Sequence, residues 1–226
     1  MKKTLLLLTI SMLWLHSSHS QELPDDISKK ELQAYKPKFG LKLGYSVAHI
    51  SGTSIHFSPG SKEGWNASVF YGPVSNGLGY RTELVFSRQG FSFDDAGNKQ
   101  DVLQDYIYMP HLTTFTIAHR VQLQAGGQVG YLLNARHGSQ TNTSGEEEQL
   151  TTYMNRVDYG AALGFELYPY KGLLIGARYN ISMGNPYKKM AEGEGGTAAA
   201  PFPLPFNPID FKGRNAVLHF FAGYRF

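Results

Sequence analysis

From Phe39 to Phe226, apolar side chains recur at every second position in one segment after another. Phe39, Leu41, Leu43, Tyr45 and Val47 alternate with Gly40, Lys42, Gly44, Ser46 and Ala48. Leu78, Tyr80, Thr82, Leu84 and Phe86 likewise oppose Gly79, Arg81, Glu83, Val85 and Ser87. The same alternation runs through Val121–Leu133, Val157–Leu167, Leu173–Ser182 and Ala216–Phe226. Two weaker segments, Lys62–Gly72 and Val102–Phe115, bring the set to eight. A period of two places successive side chains on opposite faces, so each segment predicts a strand with one apolar face. Short links (Pro73–Asn76, Thr116–His119, Tyr168–Lys171) alternate with long ones (Ser51–Ser61, Ser92–Gln100, Ala135–Thr152, Met183–Gly213). Short turns at one end and long loops at the other are the layout of an outer-membrane barrel, whose short turns face the periplasm. The prediction is all-β: an eight-stranded antiparallel up-and-down transmembrane β-barrel.

The composition of the second face decides between a membrane and a soluble barrel. A soluble barrel turns a Lys- and Glu-rich face to water and its apolar face to a ligand cavity. Here the less apolar face carries Gly40, Gly44, Gly79, Gly126, Gly130, Gly160, Gly164, Gly176 and Gly223. Such small residues suit a narrow lumen and make a poor solvated surface. The apolar face therefore points to lipid. Gly127 on the apolar face, and Leu132 and Phe221 on the other, depart from the pattern. Aromatics near the short turns (Tyr71, Phe115, Tyr168, Tyr170) and the long loops (Trp65, Phe91, Phe93, Tyr153, Tyr187) are expected to form two interfacial belts.

The start of the chain changes the picture of where the barrel resides. Met1-Lys2-Lys3, an apolar run from Leu5 to Leu15, and Ser18 and Ser20 before Gln21 read as a secretory signal cleaved after residue 20. That run is too short to span a bilayer, which takes about 20 residues. Residues 21–38 are a polar periplasmic lead-in, and 39–226 form the barrel domain. The chain has no cysteine, which excludes disulfides, thiolate metal sites and a lipoprotein anchor. Without Lys2 and Lys3, 19 basic side chains face 18 acidic ones, which offers nucleic acid no basic face.

The segments FGLKLGYSVAHISG, GLGYRTELVFSRQGFSF, DYIYMPHLTTF, VGYLLNAR, VDYGAALGFELYPYKGLLIGARYNISM and HFFAGYRF occur in that order. In this order the chain resembles the PorT-like outer membrane β-barrel family typical of Bacteroidota. The resemblance covers nearly all of the mature chain and implies an eight-stranded barrel in the outer membrane of a Gram-negative-type envelope. The family's namesake is tied to type IX secretion, which implies an accessory role in such an apparatus as an alternative function. The terminal FFAGYRF, ending at Phe226, resembles the signal by which barrel-assembly machinery recognises its clients.

The predicted lumen holds Lys42, Arg81, Glu83, Asp158, Glu166, Arg178, His219 and Arg225. Near balance of sign predicts paired ions that plug a barrel too narrow to conduct, with Arg81 and Glu83 close enough on one strand to meet. Some small barrels hydrolyse lipids with a Ser, a His and an acid. His56-Phe57-Ser58 and His137-Gly138-Ser139 have a suitable spacing but lie in expected loops, and His111 shares a face only with Thr113. No catalytic, cofactor or metal site is therefore expected. Glu146-Glu147-Glu148 reads as a solvated run. In the last loop Pro201–Pro208 (PFPLPFNP) is stiff and apolar, suited either to dock an envelope protein partner or to cover the barrel mouth. The function expected is a non-enzymatic structural or interaction role, with outer-membrane lipid and the barrel-assembly machinery as further partners. A lipid-modifying enzyme and a soluble ligand-binding barrel are the rivals.

Overall fold

The alternation becomes eight long strands and one short one. In the computed structural model these are β1 (Lys38–Ser51), β2 (Gly60–Gly72), β3 (Gly77–Asp95), β4 (Asn98–Ile117), β5 (Val121–Ser139), β6 (Glu148–Gln149), β7 (Val157–Tyr170), β8 (Leu173–Ser182) and β9 (Arg214–Arg225). The structure describes residues 37–51, 59–73, 76–95, 98–139, 148–151, 153–188 and 213–226. The expected signal, most of the lead-in, His56, Ser58, Glu146, Glu147 and Pro201–Pro208 lie outside them.

Each long strand pairs antiparallel with its neighbours in sequence, and β9 returns to β1 with Gly40 opposite Arg225 and Ser51 opposite Arg214. Pairing of β4 with β5 completes a closed ring of eight strands, while β6 adds to the upper end of β5. Closure leaves no edge, so the backbone polar groups of the ring are satisfied by neighbouring strands, as lipid demands. The soluble alternative fails on the outer face. Leu43 and Leu78 are each 70% exposed there, amid a continuous band that includes Leu84, Leu163, Ile175 and Phe220. An apolar surface of that extent is tolerable only against acyl chains.

The short turns have local causes. Gly77 (φ 81°) and Gly172 (φ 77°) occupy the left-handed region that glycine enters at no steric cost. In the β4–β5 turn Ala118 (φ 50°) and His119 (φ 56°) enter it without that freedom. The Arg120 N–H donates to the Ile117 carbonyl at 3.0 Å, and the His119 N–H donates to Asn76 Oδ1 at 2.7 Å, tying two adjacent turns together. Two positive φ values in a two-residue turn match the right-handed twist of the flanking strands.

Strand lengths differ from expectation at the opposite end. β3, β4 and β5 run for 19, 20 and 19 residues, whereas β8 has 10 and β9 has 12. A tilted strand spans lipid in about 9–11 residues. β8 is thus barely long enough, and β3–β5 rise past the membrane as a lip on one side of the mouth. Much of the expected loop Ser92–Gln100 belongs to this hairpin, and the expected loop from Ala135 begins as β5 strand as far as Ser139. Alternation continues there because the inward positions Phe91, Phe93 and Val102 have an apolar interior to enter.

The belt assignment also needs correction. Tyr71, Phe115, Tyr170 and Trp65 face outward, but Tyr168, Phe91, Phe93 and Tyr187 are buried inside. Because the chain lacks cysteine, single nitroxide labels report this arrangement cleanly. Labels at Leu84→Cys and Leu163→Cys should be relaxed by oxygen and not by a water-soluble nickel chelate; the reverse order would place this face in water.

Candidate functional site: the sealed lumen

The inward face of every strand in the ring contributes to one buried cluster near the short-turn end. Lys42 of β1 places Nζ 2.6 Å from Glu83 Oε1 of β3 and 2.7 Å from Glu166 Oε1 of β7. Arg178 of β8 grips Glu83 with both terminal nitrogens at 2.8 Å and donates to Gln124 Oε1 of β5 at 2.7 Å. Arg81 of β3 donates to Glu166 Oε2 at 2.5 Å and to the Tyr168 hydroxyl at 2.8 Å, and Tyr168 donates in turn to Glu166 at 2.7 Å. Gln124 continues the chain to Gln122 at 3.1 Å, and Gln122 to Thr116 of β4 at 2.8 Å. The Lys42 ammonium lies between the rings of Phe70 (β2) and Phe221 (β9), 4.8 and 4.6 Å from their centroids. Arg81 sits 4.4 Å over the Phe70 ring. Phe221, an exception to the polar pattern, is thus a cation–π partner inside the lumen.

Three cations and two carboxylates are held here out of water, with hydrogen bonds to each. Such a cluster is held by geometry. Its desolvation offsets much of its Coulomb attraction, yet removing one member leaves an uncompensated buried charge. Arg81 and Glu83, read as neighbours on one strand, approach only to 3.9 Å; each has closer partners across the lumen. Arg225 lies lower, 4.5 Å over the Tyr168 ring. His219 faces inward opposite Arg178 and Ser46.

Asp158 belongs to a different level. It accepts from Ser182 Oγ at 2.5 Å and from the Tyr108 hydroxyl at 3.3 Å, while Tyr108 accepts from Gln89 Nε2 at 2.9 Å. Above this ceiling Ile50, Phe91, Phe93, Val102, Leu132 and Ala135 pack with Leu150, Met154 and Tyr187 from the connections after β6 and β8. Met154 and Tyr187 form an antiparallel bridge, and Asn155 Nδ2 donates to the carbonyls of Asn185 and Tyr187 at 2.8 and 2.9 Å. Burial pushes the Tyr187 phenol above its usual range, so it stays neutral. Loop segments therefore plug the wide end.

The hydrolase candidates do not assemble. His137 lies in strand β5, not in a loop, and stacks on Phe93 with centroids 5.8 Å apart. His111 faces lipid beside Thr82 Oγ1 at 3.2 Å. Among the described residues no three His, Asp or Glu side chains are grouped to hold a metal. Of the partners, Gln122, Gln124 and Phe70 were not singled out from the sequence, and Tyr168 was expected in the interfacial belt. Their inward parity with Glu166, Arg178 and Lys42 is the signal that places them.

The sequence profile of the outer membrane protein beta-barrel domain matches residues 33–187. The chain belongs to that family. It is accordingly an integral β-barrel protein of the cell outer membrane. No match to a curated protein reaches significance. Among solved structures it is similar to Ail, the attachment invasion locus protein of Yersinia pestis, in complex with the heparin analogue sucrose octasulfate. That likeness has 17% identity and a TM-score of 0.47, over 84% of this chain and 99% of Ail. Neisserial surface protein A (NspA) gives 14% and 0.44 over 83% and 95% of the two chains. OprG from Pseudomonas aeruginosa gives 11% and 0.40 over 86% and 98%.

Removing Glu83 strands Arg178 and leaves Lys42 with Glu166 as its one carboxylate partner. Glu83→Ala should lower the unfolding free energy of the refolded barrel by about 3–5 kcal/mol, measured by urea titration in detergent. Arg88→Ala breaks the bidentate pair with Asp105 on the outer wall, where Arg88 is 35% exposed. It should cost about 0–1 kcal/mol. Equal losses would deny the lumen cluster its special place.

Proposed function

We propose that this protein is a non-enzymatic anchor in the outer membrane that acts by presenting its tall lip and long-loop end to partners. The observation that carries this reading is the double seal of the lumen. An ion cluster from β1, β3, β7 and β8, lined by neutral side chains of the other four strands, closes it below, and an apolar plug contributed partly by loops closes it above. A barrel so filled offers no continuous path for solutes. Among the described residues, β3–β5 reach furthest beyond the membrane, and they carry Arg88, Asp94 and Arg136 outside their apolar inner face.

Within the family the chain reads as PorT-like, on the order of its segments from FGLKLGYSVAHISG to HFFAGYRF. The accessory secretion role implied by that resemblance is a narrower form of the same partner-binding function. Residues 1–20 act as the export signal. The last strand, with Phe220, Tyr224 and Phe226 outward, serves the barrel-assembly machinery. Pro201–Pro208 is the envelope-partner segment.

Two measurements test the proposal. Purified barrels in planar bilayers should give no steady conductance; reproducible open steps would make the protein a channel. In cells, photo-crosslinkers at Asp94 and Arg156 should capture envelope or external proteins that a lipid-facing crosslinker at Leu163 does not, and deletion of Pro201–Pro208 should weaken recovery. Identical captures from all three positions would remove the interaction role, and capture of secretion components would select its PorT-like form.

A further inference from the structure

Two departures from the pattern of the outer face, His111 and Gly127, fall side by side. In the register Thr82 of β3 lies opposite His111 of β4, His111 opposite Gly127 of β5, and Gly127 opposite Ala161 of β7. The next row toward the short turns sets Thr113 opposite Ala125. All six residues point outward, in a band otherwise built of large apolar side chains such as Met109 and Phe115. The row is also deep. His111 stands six residues before Ile117, the short-turn end of β4. At about 3.3 Å per residue and a tilt of about 40°, it lies about 15 Å up a band about 25 Å tall. Acyl chains offer an imidazole no hydrogen bond there. Nδ1 meets Thr82 Oγ1 at 3.2 Å, and among the described residues nothing meets Nε2. Ionisable side chains at membrane depth almost always turn to protein or to a watery cavity; His111 turns outward. Gly127 is an independent sign. A strand glycine marks a bulge, a bend or the close approach of another backbone. The register runs unbroken through Gly127 and its φ is not positive, so it marks neither of the first two. A Cβ added to it would meet nothing closer than 3.9 Å, whereas one on the inward Gly126 would strike a carbonyl. No described neighbour requires glycine at 127, which leaves approach from outside.

We propose that this row is the contact surface of a homodimer within the outer membrane, two barrels meeting about a twofold axis with His111 of each copy hydrogen-bonded to the Thr113 hydroxyl of the other. The chemistry selects a second copy as the occupant. Imidazole and hydroxyl can each donate and accept, so the patch is complementary to itself, as a twofold interface requires. Any other membrane partner has to bring its own polar group to the same depth; a second copy brings it by symmetry. Two convex barrels touch along a narrow strip. A row of glycine, alanine and threonine lets their backbones close there, as small residues do between spanning helices. Above the membrane the same strands carry both signs on their outer wall, with Arg88 and Arg136 about Asp105, so two like-charged faces are not set against each other. The dimer holds two β3–β5 lips side by side, whatever they bind.

Sedimentation equilibrium of the purified barrel in density-matched detergent should give a monomer–dimer equilibrium. His111→Leu should raise the dissociation constant about tenfold, the effect of losing two modest interchain bonds. Gly127→Leu should leave only monomer, and Leu43→Ala, on the opposite side of the ring, should change nothing. Because the chain has no cysteine of its own, a bis-maleimide added to native membranes reports single thiols. It should link Ala125→Cys into a dimer and leave Leu43→Cys unlinked. Three results would overturn the homodimer: monomer at every concentration, a dimer indifferent to both His111→Leu and Gly127→Leu, or linkage of Ala125→Cys to a different protein alone. Should the leucine variants fail to fold, the unmodified barrel in the centrifuge and the two single thiols decide.

Discussion

Closure of the sheet is the constraint from which the rest follows. Within lipid a strand cannot leave its N–H and C=O groups unpaired. With eight strands, closing the ring also sets the bore. That bore has to be filled by the residues of inward parity, which here mix lysine, arginine, glutamate and tyrosine with glycine and serine. Where the inward chains are long and charged they meet across the axis and seal it; where they are short they leave polar surface facing polar surface. Close strand approach explains part of the glycine content. A Cβ on Gly126 would lie 2.0 Å from the His111 carbonyl oxygen, and one on Gly160 2.1 Å from that of Ile181.

Much of this was legible in the sequence, because parity is a local property. The faces of Lys42, Arg81, Glu83, Glu166 and Arg178 follow from alternation alone, as does their common presence in the lumen. Their pairing does not. Lys42 and Glu166 are 124 residues apart, and whether they meet depends on how strand tilt sets relative height. Parity also held the answer for Phe91, Phe93 and Tyr168, which continue the inward series of Arg81 and Glu166. Their place near strand ends favoured a belt, but the filled interior had room and partners for them.

Two features were hidden for physical reasons. The stretch Ser92–Gln100 is rich in Asp, Asn and Gly, which is turn chemistry. Phe93 is the one large apolar residue in it, so the hairpin continues for reasons that lie in β4, β5 and the residues packed behind it. In β5 the register shifts between Asp105, which pairs with Asn134, and Tyr106, which pairs with Leu132. Leu133 is the extra residue of a bulge, and beyond it Ala135 and His137 take the inward positions. A single inserted residue reverses parity without any mark in the composition.

The ion cluster bears on specificity more than on net stability. Buried ion pairs often contribute little beyond what apolar side chains of equal volume would. In a barrel, however, a one-residue slip of pairing exchanges the faces of a whole strand. An apolar lumen would make that exchange cheap, since lipid accepts either face. With Lys42, Arg81 and Arg178 inside, a slip of β1, β3 or β8 carries a cation toward acyl chains, at a cost that rises to about 2–4 kcal/mol at the bilayer midplane and falls toward the interface. It also strands Glu83 or Glu166 in the lumen. Because the cluster and the neutral side chains lining it come from every strand of the ring, each strand's register is checked against the others. Charge inside and leucine outside together make the native pairing unique, at a modest cost in the energy of either arrangement taken alone.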